Sequence, residues 1–210
     1  MSRQKGDIMR DVLISLKPYY YYLIGENIKK VEVRKTYPKA EDWSRGAWFY
    51  MSRDENSFGK IPKEFQEKYR KHFGKVGMRF VCPKISHWWW SSYDGDFNDG
   101  GEYNITDDEL KATCLNYSEF ENYGDTKILH GLNITDLVVY DEPRELWEFK
   151  TICKEYGSDN PNCTECHYYI DGMCYEYDES DCGCSGRKPI TRPPQSWQFC
   201  VATEPRQTAD

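Results

Sequence analysis

The stretch that most constrains this chain runs from Val12 to Lys39, VLISLKPYYYYLIGENIKKVEVRKTYPK. Val12–Leu16 is a short apolar run of strand character. Lys17-Pro18 interrupts it, and a proline whose φ is already helical and whose missing N–H costs nothing belongs at the first position of a helix. The helix is brief, Tyr19 to Ile24, and Gly25 stands where a left-handed C-terminal cap is expected. A second strand, Val31 to Lys35, alternates Val31 and Val33 with Glu32 and Arg34, the pattern of a half-buried strand with one charged face. A strand–helix–strand unit of this size gathers Lys17, Lys29, Lys30, Glu32, Arg34 and Lys35 within a short span of sequence.

Further along, Ala47–Ser52 reads as an aromatic strand, Asp54–Ile61 as a loop and Pro62–His72 as a helix. In that helix Phe65, Tyr69 and Phe73 recur every four residues, and Glu64/Lys68 and Glu67/Lys71 form favourable pairs. Its outer face (Lys63, Lys68, Arg70, Lys71) is a solvated surface or a phosphate-tracking one. Gly77–Ile85 reads as a central strand leading into Trp88-Trp89-Trp90. Because successive strand residues face opposite ways, one tryptophan belongs in the core and another outside, where an indole such as Trp88 can stack on a nucleobase. Thr106–Glu109 has capping-box form, and Ser118–Glu121 repeats the device. Gly131–Tyr140 reads as one strand, and Pro143 as the start of a last short helix carrying Leu146 and Phe149.

Several of these segments resemble the ASCH domain family of the PUA-like superfamily. In that family a strand, a Lys-Pro and a short helix lead into Gly-Glu-Lys-Thr-x-Glu-x-Arg. Here Gly25-Glu26 is followed by two extra residues, Asn27-Ile28, after which Lys29, Glu32 and Arg34 take the Lys, Glu and Arg positions and Lys30 replaces the Thr. The likeness extends over Gly74–Cys82 and Gly131–Phe149, and the latter, with the Arg192–Trp197 tail, is similar to a phage and gut-bacterial subset. The resemblance implies an α+β fold: a PUA-like small mixed β-barrel with short flanking helices (residues 1–150) and an irregular Cys-rich extension (151–210) packed on it. It also implies a binding cleft beside the Lys29–Arg34 strand, with RNA, single-stranded nucleic acid or a modified nucleotide as ligand. Lys17, Lys29, Lys30, Arg34 and Lys35 then neutralise phosphate, while Glu32 accepts from a base or holds Arg34. Some relatives look like amidohydrolases acting on N4-acylated cytidine, and others like ribonucleases. In such an enzyme Lys29 and Glu32 carry the chemistry with a downstream Glu109 or Glu121, but Lys30 removes the hydroxyl nucleophile.

Charge refines this picture. The formal net charge of −7 opposes nonspecific binding to a nucleic-acid backbone over the whole surface. Its distribution is uneven: residues 29–84 hold 15 Lys and Arg against 7 Asp and Glu, whereas residues 94–125 hold 1 against 10 and residues 136–181 hold 3 against 13. One anion-binding face fits the basic block. The acidic blocks are solvated surface or, in a third reading, a surface that engages a basic host protein.

Seven of the 9 cysteines lie from Cys153 onward. No leader-like or membrane-length apolar run precedes them, so a cytoplasmic location is expected, and there metal ligation or buried thiols are favoured over disulfides. Cys163-x-x-Cys166 can place two thiolates on one tetrahedral zinc, with Cys153 as a third ligand and Cys174, Cys182 or Cys184 as the fourth. The segment has too little apolar content to fold by burial, so a structural zinc is expected to supply that stability.

Overall fold

The structure, a computed structural model, describes residues 11–38, 46–92, 101–125, 127–151, 169–170, 173–174 and 189–202. It begins with β1 (Asp11–Leu16), α1 (Pro18–Gly25), β2 (Val31–Arg34) and β3 (Ala47–Met51). The short helix α2 (Glu55–Phe58), the longer α3 (Lys63–Arg70) and β4 (Val76–Val81) follow. Strands β5 (Ile85–Trp88), β6 (Trp90–Ser92) and β7 (Gly101–Tyr103) precede α4 (Asp107–Thr113) and α5 (Tyr117–Gly124). The remaining strands are β8 (Leu129–Asn133), β9 (Thr135–Arg144), β10 (Phe149–Thr151), β11 (Tyr169–Ile170), β12 (Met173–Cys174) and β13 (Trp197–Ala202).

A six-stranded mixed sheet in the order β10-β13-β1-β3-β4-β9 forms the centre, with β1 and β3 parallel and the other pairs antiparallel. Val12, Ala47, Trp48 and Phe49 are buried whichever face they occupy, because helices cover one side of the sheet and the chain returning through Leu146, Phe149 and Ile190 covers the other. Hence β1 and β3 read as continuous apolar runs. On the helical side Tyr21, Ile24 and Tyr69 pack on Ile14, Phe49 and Phe80, and the Phe49 and Phe80 rings stack at 4.3 Å. A second sheet, β2-β8-β5, lies under α4 and α5 and buries Val31, Val33, Trp88, Phe120 and Leu129.

The fold is mixed α and β as expected, but among the described residues the strands make two separate principal sheets rather than a closed barrel. Strand β13 lies inside the central sheet, between β10 and β1. Residues 152–168 and 175–188, which include Cys153, Cys163, Cys166, Cys182 and Cys184, lie outside the described residues, as does the side chain of Cys174. The zinc expectation falls on them; no group of three metal-ligating side chains occurs among the described residues. The described thiols Cys82, Cys114 and Cys200 are free.

Several local expectations are corrected. Pro18 does open α1, but Gly25 is its last helical residue, and the positive φ of +60° falls on Asn27. Gly25 is required for space instead, because a Cβ there would come within 2.3 Å of the Tyr69 hydroxyl. The loop after Asp54 contains α2, capped where the Asp54 carboxylate accepts from the Ser57 N–H at 2.9 Å. Asn116 rather than Ser118 caps α5, reciprocally with Glu119. The strand expected over Gly131–Tyr140 is two strands, β8 and β9, that enter different sheets. Pro143 lies within β9, an edge strand where its missing N–H is tolerated, and only a 3-10 turn, Leu146–Glu148, follows. Among the described residues no helix is long and apolar enough to cross a membrane.

Candidate functional site

Strand β2 is buried on both faces. Val31 and Val33 enter the small core under α5, so the opposite face of this alternating strand carries Glu32 and Arg34. That face is not solvated as the pattern alone suggests: Lys29, Glu32 and Arg34 are only 3%, 7% and 8% exposed. They form a chain of charges. The Glu32 carboxylate lies 3.0 Å from Arg34 Nη2 through one oxygen and 3.6 Å from Lys29 Nζ through the other. Lys29 also donates to the Thr113 carbonyl at the end of α4 at 2.5 Å, and Arg34 donates to the Ser15 carbonyl at 2.6 Å. Arg34 Nη1 reaches the Ser196 hydroxyl at 3.5 Å, which ties the tail of the chain to the opening unit. The turn through Asn27 positions Lys29, whose N–H bonds back to the Leu23 carbonyl at 3.0 Å.

These three residues floor a cleft of about 570 Å³. One wall is the β1–α1 junction (Ser15, Leu16, Lys17 and Tyr20), the other is α5 (Glu119, Asn122 and Tyr123), and Gln195 closes one end. Tyr20 lies 5.2 Å from Lys29 Nζ, and the Tyr123 ring is capped by Lys35 Nζ at 5.3 Å. Three cations (Lys17, Lys29, Arg34) thus line the cleft against two carboxylates (Glu32, Glu119).

Burial lowers the Lys29 amine below its ordinary range, and the attraction of Glu32 only partly opposes it. Burial together with the nearby Glu119 and Glu32 charges raises the Tyr20 phenol. Lys29 and Arg34 thus present positive charge at the floor of the cleft, and Glu119 presents a carboxylate on its α5 wall.

Of the residues singled out from sequence, Lys17, Lys29, Glu32 and Arg34 converge on this cleft. Lys30 does not line it; its side chain is exposed and donates to Asn27. Lys35 stands outside it on Tyr123. Trp88 is a correction. It is 1% exposed, packed edge-on against Phe120, and unable to stack on a base. The alternation of β5 sends it into the core, and the outward indole is Trp89, 51% exposed and away from the cleft. Three of the four cations on the basic face at α3 are in ordinary ion pairs, Lys68 with Glu26, Arg70 with Glu55 and Lys71 with Asp141. The carboxylate that reaches the cleft is Glu119, whereas Glu109 caps α4 at Thr106. Sequence reasoning missed Tyr20, Asn122, Tyr123 and Gln195 as lining residues. Gln195 had a signal in the Arg192–Trp197 segment; Tyr123 had none.

No family model and no curated protein matches this sequence. Among solved structures, the chain is similar to the ASCH protein of Zymomonas mobilis at 17% identity and a TM-score of 0.39, over 63% of this chain and 69% of that one. Two single-residue variants of that protein give 17% and 18% identity with TM-scores of 0.40 and 0.38, again over 63% of this chain and over 71% and 70% of theirs.

Proposed function

We propose that the chain is an ASCH-type binding protein whose cleft takes a modified nucleotide or an unpaired base of RNA. The observation that carries this reading is the buried Lys29–Glu32–Arg34 chain at the floor of a cleft the size of one small ligand. A duplex does not fit a cleft of about 570 Å³, but a nucleoside with its phosphate does. Lys29, Arg34 and Lys17 supply the anion-binding charge, Asn122 and Gln195 offer amides to base edges, and Tyr20 and Tyr123 present aromatic faces. Glu32 holds the two cations apart and oriented, so the charge is preorganised rather than recruited on binding.

The test is titration of the protein with nucleoside monophosphates, N4-acetylcytidine and short single-stranded RNA at low salt. Arg34→Met and Lys29→Met each weaken binding at least tenfold if the cleft is the site, and Trp89→Ala leaves it unchanged. Equal affinity in all three variants refutes the assignment.

A hydrolytic reading is favoured by one observation, the lowering of the buried Lys29 amine, which brings it toward the range of a general base. In that case Glu119 across the cleft is the second titratable group. Turnover of acetylated cytidine that disappears in Lys29→Met supports the enzyme, and binding without turnover supports recognition alone. We also propose a structural zinc held by Cys153, Cys163 and Cys166 with Cys174, Cys182 or Cys184, on the spacing argument above.

A further inference from the structure

His87 on β5 and His130 on β8 are direct cross-strand partners in the second sheet. Their Nδ1 atoms face each other at 2.8 Å, and their rings meet nearly at right angles. Tyr37 packs on both, with its ring 4.4 Å from His130 and 5.3 Å from His87, so the two imidazoles are held in one orientation. Strand alternation places both on the outer face, His87 exposed and His130 half-buried: Trp88 takes the inward place next to His87, and Leu129 the inward place next to His130. Neither histidine lines the nucleotide cleft.

We propose that His87 and His130 form a surface bis-imidazole site for a divalent transition metal of the nickel and copper class. Two nitrogens bound to one ion at the usual 2.0–2.1 Å stand about 2.9 Å apart when they subtend 90° and about 3.3 Å apart when tetrahedral. The observed 2.8 Å lies beside the 90° value, the ligand arrangement of tetragonal and octahedral N,O sites. The ion replaces the hydrogen bond between the two Nδ1 atoms, sitting about 1.5 Å to one side of the line joining them, with each ring turned toward it. The proton of that bond moves to Nε2 of the same ring, so two neutral imidazoles bind with no net proton release. Water fills the remaining coordination positions, because no third metal-ligating side chain joins the pair among the described residues.

The experiment titrates the full chain with nickel chloride after one equivalent of zinc has been bound and excess metal dialysed away, so that the cysteine thiolates are occupied and the two imidazoles are free. Binding is followed by calorimetry and by the histidine ring proton resonances. One nickel ion per chain is expected, with both ring signals displaced, and with affinity at least about tenfold weaker in His87→Gln and in His130→Gln, as for other losses in a metal's ligand set. Glutamine keeps a hydrogen bond between the strands, so unchanged thermal melting of the apo variants confirms that the fold survives. Should either variant give a melting shift, the ring resonances of the wild type decide the matter alone. Nickel affinity within twofold of wild type in His87→Gln, or ring signals unmoved by nickel, overturns the site.

Discussion

Replacing Glu32 by glutamine removes one negative charge from between two cations that are themselves almost wholly buried. Side-chain length and one hydrogen bond to Arg34 survive, so the change isolates charge. Breaking a buried pair by removing one partner costs about 3–5 kcal/mol, because the other charge stays behind without compensation. Here the cleft lets water approach and Lys29 keeps its bond to the Thr113 carbonyl, which puts the expected loss near the lower end, about 3 kcal/mol. In a chain of this length that lowers Tm by about 6–12 °C.

The loss has a defined pH dependence. Burial already lowers Lys29 in the folded state, and Glu32 is the largest influence acting the other way, so Glu32→Gln lowers it further. A lysine whose folded pKa lies below its unfolded value makes the protein less stable below the folded pKa and releases that penalty as pH rises toward the unfolded value. The defect of Glu32→Gln is thus largest at neutral pH and shrinks toward alkaline pH, as Lys29 gives up its proton. Urea denaturation of wild type and variant between pH 7 and pH 10 measures both. A loss under 1 kcal/mol at pH 7, or one that does not diminish on going to pH 10, refutes the picture of a desolvated, charge-compensated cluster.

His72 is buried, bonded to the Tyr21 hydroxyl at 3.0 Å, and lowered to about 4 chiefly by burial and then by Lys71 and Lys68. Its unfolded value is near 6.5, so stability should fall as pH drops from about 6.5 to 4, and urea midpoints across that window should flatten in His72→Gln. Gly131→Ala should destabilise by about 1–3 kcal/mol in thermal melts, because a Cβ there would come within 2.2 Å of the buried Trp88 ring, which has no room to retreat. Zinc analysis of protein purified without added metal should find about one ion per chain, lost together with thermal stability in Cys163→Ser/Cys166→Ser. Protein free of metal and equally stable would remove the zinc.

Local chemistry in the sequence determined the opening unit. Pro18 stops the β1 strand and suits the first position of a helix, and the alternation of β2 sends Glu32 and Arg34 to one face. The capping box at Thr106 and the apolar runs of β1 and β3 were legible for the same reason, since each depends on neighbours in sequence. What lay beyond reach was long-range. Whether the charged face of β2 met water or protein depended on α1, α5 and Ser196 closing over it, and Ser196 lies 162 residues from Arg34. The same holds for Trp88. Its alternation required one indole inside and one outside, but only the packing of Phe120 and Val31 from other elements decided which. Glu119 and Tyr123 carry no motif that marks a cleft; they line it because α5 lies across β2. Periodicity and turn chemistry are properties of adjacent residues, whereas burial, desolvation and the lowering of Lys29 belong to surfaces that exist only once distant segments have closed on one another.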